Sequence, residues 1–152
     1  MKSKYLVSLF IAVGLIGAMV VYFLVNPSYA KSLEAKYFYE MGRYDKAYDL
    51  ANEAFSMNIY NRMAATIMAQ SKTSLKYKKY IDQAKEYVKA INKISNQQSI
   101  SDADRAKIKL MSEIVVDSYT KLAPSVITNK ALVQEAAMYH NKFEQLLEKV
   151  KQ

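Results

Sequence analysis

The 152-residue chain carries 22 Lys and Arg against 14 Asp and Glu, a net charge of +8, and it has no cysteine. Without thiols there is no disulfide framework, zinc–thiolate site or cysteine nucleophile. With one histidine, His140, and only three glycines, the usual catalytic arrangements and phosphate-cradling loops lack their parts. Lysines outnumber arginines 19 to 3, a balance that does not favour nucleic acid as a partner, because phosphate-reading surfaces lean on bidentate Arg.

The first predicted element is the uncharged run Tyr5–Val25. At about 1.5 Å of rise per residue it matches a hydrocarbon core of about 30 Å. Lys2 and Lys4 precede it, in a tail of four residues (1–4) expected to stay in the cytoplasm. Ser28-Tyr29-Ala30 is a small-x-small triplet of the kind a signal peptidase reads, but the apolar stretch exceeds a usual signal core. A signal anchor is therefore expected, with cleavage after Ala30 as the alternative. Gly14 and Ala18 give the span a small-xxx-small face.

Asn26-Pro27 stops this helix and starts the next, with Pro tolerated at a first helical position. A helix over Ser28–Met41 follows, closed by Gly42, which supplies left-handed backbone. The spacing of Tyr44, Ala47, Tyr48, Ala51, Ala54 and Phe55 predicts a helix over Tyr44–Met57. Asn58–Asn61 is a break. A third body helix is predicted over Arg62–Lys72 and a fourth over Tyr80–Ser95, with Lys76–Lys79 as a basic connection, inside a run Ser71–Tyr80 whose two tyrosines are half packed. Asn96–Ser101 reads as a polar loop, with Ser101 as cap and Asp104 near the positive end of the next dipole. The fifth body helix is predicted over Asp102–Leu122 and the sixth over Asn129–Lys149, with Pro124 between them. Leu132, Ala136, Tyr139, Phe143, Leu146 and Val150 form a seam that suits packing along another helix, in this chain or in an oligomer formed through the C-terminal helices. His140 and Glu144 are spaced for an i,i+4 pair.

Phe38-x3-Gly42-x-Tyr44-Asp45-x-Ala47-x6-Ala54 places an aromatic near one helix end, a glycine at the turn, then small residues seven apart. This resembles the tetratricopeptide repeat, a helix-turn-helix unit of about 34 residues. The resemblance is specific over residues 28–60 and weak over 61–95, where Ile81-x2-Ala84 and Val88 stand in for the motif. It departs from the family at Lys31, Glu34, Ala51 and Ile59. Low glycine and proline argue for an all-α chain, and with the resemblance the expected order is the transmembrane helix, then tetratricopeptide-like pairs over 28–95 in a small solenoid, then a C-terminal helical hairpin with capping helices over 96–152. Phe38, Gly42, Tyr44, Ala47 and Ala54 would be its structural residues. The first helix of each pair lines the binding face in that family, so Lys36, Tyr39, Glu40, Thr66, Thr73 and Tyr77 are the implied protein-binding residues.

No catalytic residue, cofactor or metal is expected. The expected function is that of a non-enzymatic scaffold on the periplasmic face of a bacterial inner membrane. It would serve as an accessory subunit of an envelope complex such as a secretion translocon, cytochrome assembly machine or flagellar motor. Its expected partners are other protein subunits at that membrane, and the bilayer through Tyr5–Val25. The alternatives are a released periplasmic binding protein, or a non-catalytic subunit of a membrane enzyme or transporter.

Overall fold

The computed structural model describes residues 2–123 and 127–151, and every regular element among them is helical. The elements are α1 (Lys2–Val25), α2 (Pro27–Glu40), α3 (Tyr44–Met57), α4 (Arg62–Ser95), α5 (Asp102–Tyr119) and α6 (Lys130–Lys151). They form two compact units, Met1–Ser71 and Lys72–Gln152, and α4 contributes to both.

In the first unit, α1 contains one stretch long and apolar enough to cross a membrane, Tyr5–Phe23, with a mean hydropathy of 2.5 and none of it buried. A single extended residue, Asn26 (φ −104°, ψ 99°), separates α1 from α2. Pro27 begins α2 as the sequence predicts, but the Asn26 side chain makes no capping hydrogen bond. Instead the junction is braced by rings: Tyr29 lies 5.6 Å from Tyr22 and 6.0 Å from Phe23, centre to centre.

The end of α2 follows from Gly42, whose φ is +73°. Its N–H donates to the Tyr39 carbonyl at 3.0 Å, and the Arg43 N–H donates to the Phe38 carbonyl at 2.9 Å. Together these two bonds close the helix end in the Schellman pattern. The Arg43 guanidinium sits 5.2 Å from the Phe38 ring centre, and Lys46 Nζ 3.8 Å from it, so the terminal aromatic is covered by cations. The chain then reverses into α3, which packs on α2 through Ala47 and Ala51 against Ala35, with Ile67 of α4 completing the cluster. Alanine at all three helix–helix positions lets the backbones approach closely, and Tyr44 fills the space near the turn, edge-on to Tyr39 at 5.3 Å.

A buried polar node joins the other end of this hairpin to α4. Asn61 is fully buried. Its amide Nδ2 donates to Ser28 Oγ and Ser32 Oγ, both at 2.8 Å, while its Oδ1 accepts from the Ala64 N–H at 3.1 Å. The serine hydroxyls donate onward, Ser28 to the Ala54 carbonyl at 2.8 Å and Ser32 to the Ser28 carbonyl at 2.9 Å. Asn61 thus caps α4 while its donor end ties that cap to α2, and through Ser28 to the last turn of α3.

Two helices were expected over Arg62–Lys72 and Tyr80–Ser95, with a basic connection between them; α4 is instead one helix of 34 residues. No Gly or Pro interrupts 62–95. Lysine is a good helix former, and Lys78 pairs with Asp82 at 2.8 Å across the expected break. The second tetratricopeptide-like hairpin is therefore absent from 62–95. The tyrosines of the basic run are buried rather than half packed: Tyr77 is 2% and Tyr80 5% exposed.

The second unit is a three-helix bundle. Tyr80 of α4 meets Tyr119 at the end of α5, and Lys85 pairs with Glu135 near the start of α6 at 2.8 Å. An up-down-up order follows from these pairings. The seam Leu132, Ala136, Tyr139, Phe143, Leu146 and Val150 packs on Tyr77, Ile81, Ala84 and Ile91 of α4 and on Ile108 and Val115 of α5, so its cover lies within the chain. Ser101 Oγ accepts from the Asp104 N–H at 3.2 Å and donates to its carboxylate at 2.6 Å, confirming the expected cap. α5 stops at Tyr119, three residues short of the expected end, in a turn closed by Leu122 N–H to the Tyr119 carbonyl at 2.9 Å. Asn129 precedes α6 and accepts from the Ala131 N–H at 2.9 Å. The expected break at Pro124 lies outside the described residues.

Asn61→Ala removes a cap and the donor end of the node, and should lower the stability of the first unit by about 2–3 kcal/mol. Asn61→Asp keeps the cap oxygen but sets a carboxylate against two hydroxyls whose hydrogens are committed elsewhere. It should melt no higher than the alanine variant, although Asp is a preferred cap. Gly42→Ala meets no atom within 4 Å of the new Cβ, so its cost is the backbone strain alone, about 1–2 kcal/mol. Thermal melts of the three variants in detergent, followed by circular dichroism, check all these values.

Candidate functional site

α2 and the first turns of α4 enclose a cleft of about 360 Å³ in the first unit. α2 supplies Lys36, Tyr39 and Glu40. Across from them, α4 supplies Arg62, Met63, Thr66, Ile67 and Gln70. The α4 residues line it because Arg62, Thr66 and Gln70 recur every fourth residue, with Met63 and Ile67 on the adjoining row. Among the described residues, no ion pair engages Lys36, Glu40 or Arg62. Two cations and one carboxylate are thus presented around an apolar floor of Met63 and Ile67. Such a wall can hydrogen-bond a peptide segment and take an apolar side chain between the helices.

Four residues implied by the repeat resemblance, Lys36, Tyr39, Glu40 and Thr66, come together in this cleft. Thr73 and Tyr77 do not: both fall in the second unit, where Tyr77 is part of the hydrophobic core. Burial leaves Tyr77 no surface for a partner. The reason is the continuous α4: without a turn at 76–79, its register carries Tyr77 onto the same face as Tyr80, Ile81 and Ala84. Arg62, Met63, Ile67 and Gln70 were missed, although Arg62 and Gln70 stand four residues either side of Thr66 and Met63 and Ile67 form the adjoining row. The structural residues Phe38, Gly42, Tyr44, Ala47 and Ala54 lie at the α2–α3 turn and along the face of α3.

In the second unit, a smaller cleft of about 330 Å³ lies between α4 and α6, with Val88, Ile91, Phe143 and Leu146 inside and Lys142 and Lys149 at its edge. His140 lies 3.5 Å from Glu144 through Nδ1, as the spacing suggests. Its ring also stacks on Tyr119 at 4.2 Å, and Tyr119 in turn meets Tyr80 at 5.8 Å. Burial, reinforced by the neighbouring Tyr119, pushes the Tyr80 phenol well above the usual tyrosine range and raises Tyr77 in the same sense. These phenols are held neutral and are unsuited to proton transfer near pH 7. The Ser101 hydroxyl, aided by its backbone and by Lys107, lowers the Asp104 carboxyl below its ordinary value, as a helix-capping acid should be. No group of three or more His, Asp or Glu among the described residues is placed to hold a metal ion.

The fold and cleft together define a class: an all-α protein with an apolar N-terminal helix, a helical hairpin that helps form a cleft, and a three-helix bundle. No family model, curated protein or solved structure matches the chain.

The Tyr80 hydroxyl is buried without a hydrogen-bond partner. Tyr80→Phe removes that unsatisfied group and should leave stability at pH 7 unchanged or raised by about 1 kcal/mol. Because the folded-state phenol titrates above the unfolded value of about 10, its contribution is fully present below pH 10 and is lost as pH rises beyond it. The phenylalanine variant should therefore show an alkaline decline shallower by up to about 1.4 kcal/mol per pH unit, measured by chemical denaturation between pH 9 and 11.

Proposed function

We propose that this chain is a non-enzymatic, membrane-anchored protein-interaction scaffold. Its first unit binds a protein segment in the α2–α4 cleft, and α1 confines that cleft to the membrane surface. The body faces the periplasm of a bacterial inner membrane, and the chain serves there as an accessory subunit of an envelope complex. The observation that carries this reading is the convergence of Lys36, Tyr39 and Glu40 with Arg62 and Thr66 around an apolar floor, in the same unit as an exposed apolar helix. Anchoring raises the effective concentration of the cleft for a partner in the same membrane, without any new contact. The α2–α3 hairpin, with its glycine turn and alanine faces, supports kinship with tetratricopeptide hairpins, limited to residues 28–60.

The node favours a retained anchor over a released domain. A cut after Ala30 would pass through α2 and remove Ser28, which accepts from Asn61 and donates to the last turn of α3. A photoreactive residue at Thr66, in the full chain in its native membranes, should give a discrete protein adduct. The same residue at Asp49, exposed on α3 away from the cleft, should give none. Identical adduct patterns from the two sites would refute the cleft as the binding face.

A further inference from the structure

The turn between α3 and α4 exposes three large apolar side chains almost side by side: Met57 (48%), Ile59 (63%) and Tyr60 (82%). We propose that this turn is a second membrane contact, entering the headgroup layer of the leaflet from which α1 emerges. The inference rests on the reading of α1 as a span.

The position of the turn is fixed from both of its ends by one residue. Before the turn, the Ala54 carbonyl accepts from Ser28; after it, Asn61 donates to Ser28. Ser28 is three residues beyond Val25, where α1 ends, so it lies at most about 11 Å from that point. The headgroup region on each side of a bilayer is about 5–7 Å deep. A turn bonded to Ser28 is therefore held close to where the span ends, and long side chains such as Met57 and Tyr60 can reach back into that layer.

Chemistry agrees with position. Tyr22, Phe23 and Tyr29 cluster at the junction, as aromatic side chains do at a membrane–water boundary. Tyr60 is the most exposed large apolar residue among the described residues, and its ring with one hydroxyl suits the same layer. From Ala54 to Arg62 there is no acidic residue, so nothing repels anionic headgroups, and Arg62 at the far side of the turn is attracted to them. The opposite end of the α2–α3 hairpin differs: its exposed large apolar residues, Tyr37 and Met41, stand among Lys36, Glu40, Arg43 and Asp45 in the sequence. Two contacts, a span and a turn, would hold the first unit at a fixed tilt to the membrane surface.

The chain has no tryptophan, so single-Trp variants report depth without background. Full-length chains carrying Tyr60→Trp, Phe10→Trp or Asp45→Trp are reconstituted in vesicles whose acyl chains are brominated near the headgroups. Phe10 lies inside the apolar stretch of α1, and Asp45 is exposed in the first turn of α3, a helix about 20 Å long. The expected result is strong quenching for Phe10→Trp, quenching for Tyr60→Trp several-fold above that for Asp45→Trp, and the Tyr60 pattern repeated by Ile59→Trp. If Phe10→Trp is quenched while Tyr60→Trp and Ile59→Trp match Asp45→Trp, the turn contact is overturned and the anchor stands. If Phe10→Trp is not quenched, the spanning reading falls and this inference falls with it.

Discussion

Asn61 uses both ends of its amide at once: the oxygen caps α4, and the nitrogen reaches two serine hydroxyls on α2 that pass their hydrogens on to backbone carbonyls. Each named polar atom of this node has a partner, which is what allows a fully buried amide to stabilise rather than weaken a core built mostly of alanine. Alanine faces bury little apolar area per residue, so the hairpin gains less from hydrophobic transfer than one built on Leu or Phe would. Direction-specific hydrogen bonds supply what is missing. They also fix the placement of α4 against α2, and the cleft is the space that placement leaves between Glu40 and Thr66.

The helices of the first unit were legible because local chemistry and tertiary packing agree there. Gly42 has the positive φ that its position after Met41 suggests, and Ala47, Ala51 and Ala54 face inward on the period that predicts them. The error over Arg62–Ser95 arose from reading the three lysines of Lys76–Lys79 as a solvated connection. A lysine-rich stretch is also a good helix surface when every third or fourth residue between the lysines is apolar, and Tyr77, Tyr80, Ile81 and Ala84 meet that condition. The node was illegible for a different reason. Ser28 and Asn61 are 33 residues apart, and nothing in either residue type announces the other. Ser28 was more readily read as part of a cleavage triplet than as a buried hydroxyl.

The two units are stabilised by different means. The second has the larger side chains, with tyrosine, isoleucine, valine and phenylalanine in one cluster, and it tolerates an orphaned Tyr80 hydroxyl at its centre. The first has small side chains and a polar node at Asn61 whose atoms are paired, although its buried Ser71 Oγ makes no hydrogen bond. Substitutions that shave methyl groups should be felt most in the second unit, and those that remove hydrogen-bond partners most in the first. The six residues implied by the repeat resemblance divide along the same line. Those on α2 and the start of α4 reach the cleft, while Tyr77 is consumed by the bundle core.

The single extended residue at Asn26 has one more consequence. An apolar cylinder in a bilayer has no front or back and is free to spin about its axis. α1 is not a free cylinder, because Tyr22 and Phe23 pack against Tyr29, one tilted and one edge-on, and the Asn26 N–H is bonded back to the Tyr22 carbonyl at 3.1 Å. In the membrane-anchored arrangement proposed above, the face that α1 turned to a neighbouring span would therefore set the compass bearing of the cleft in the membrane plane. A lateral contact near Gly14 and Ala18 would then aim the cleft as well as hold the chain beside its neighbour.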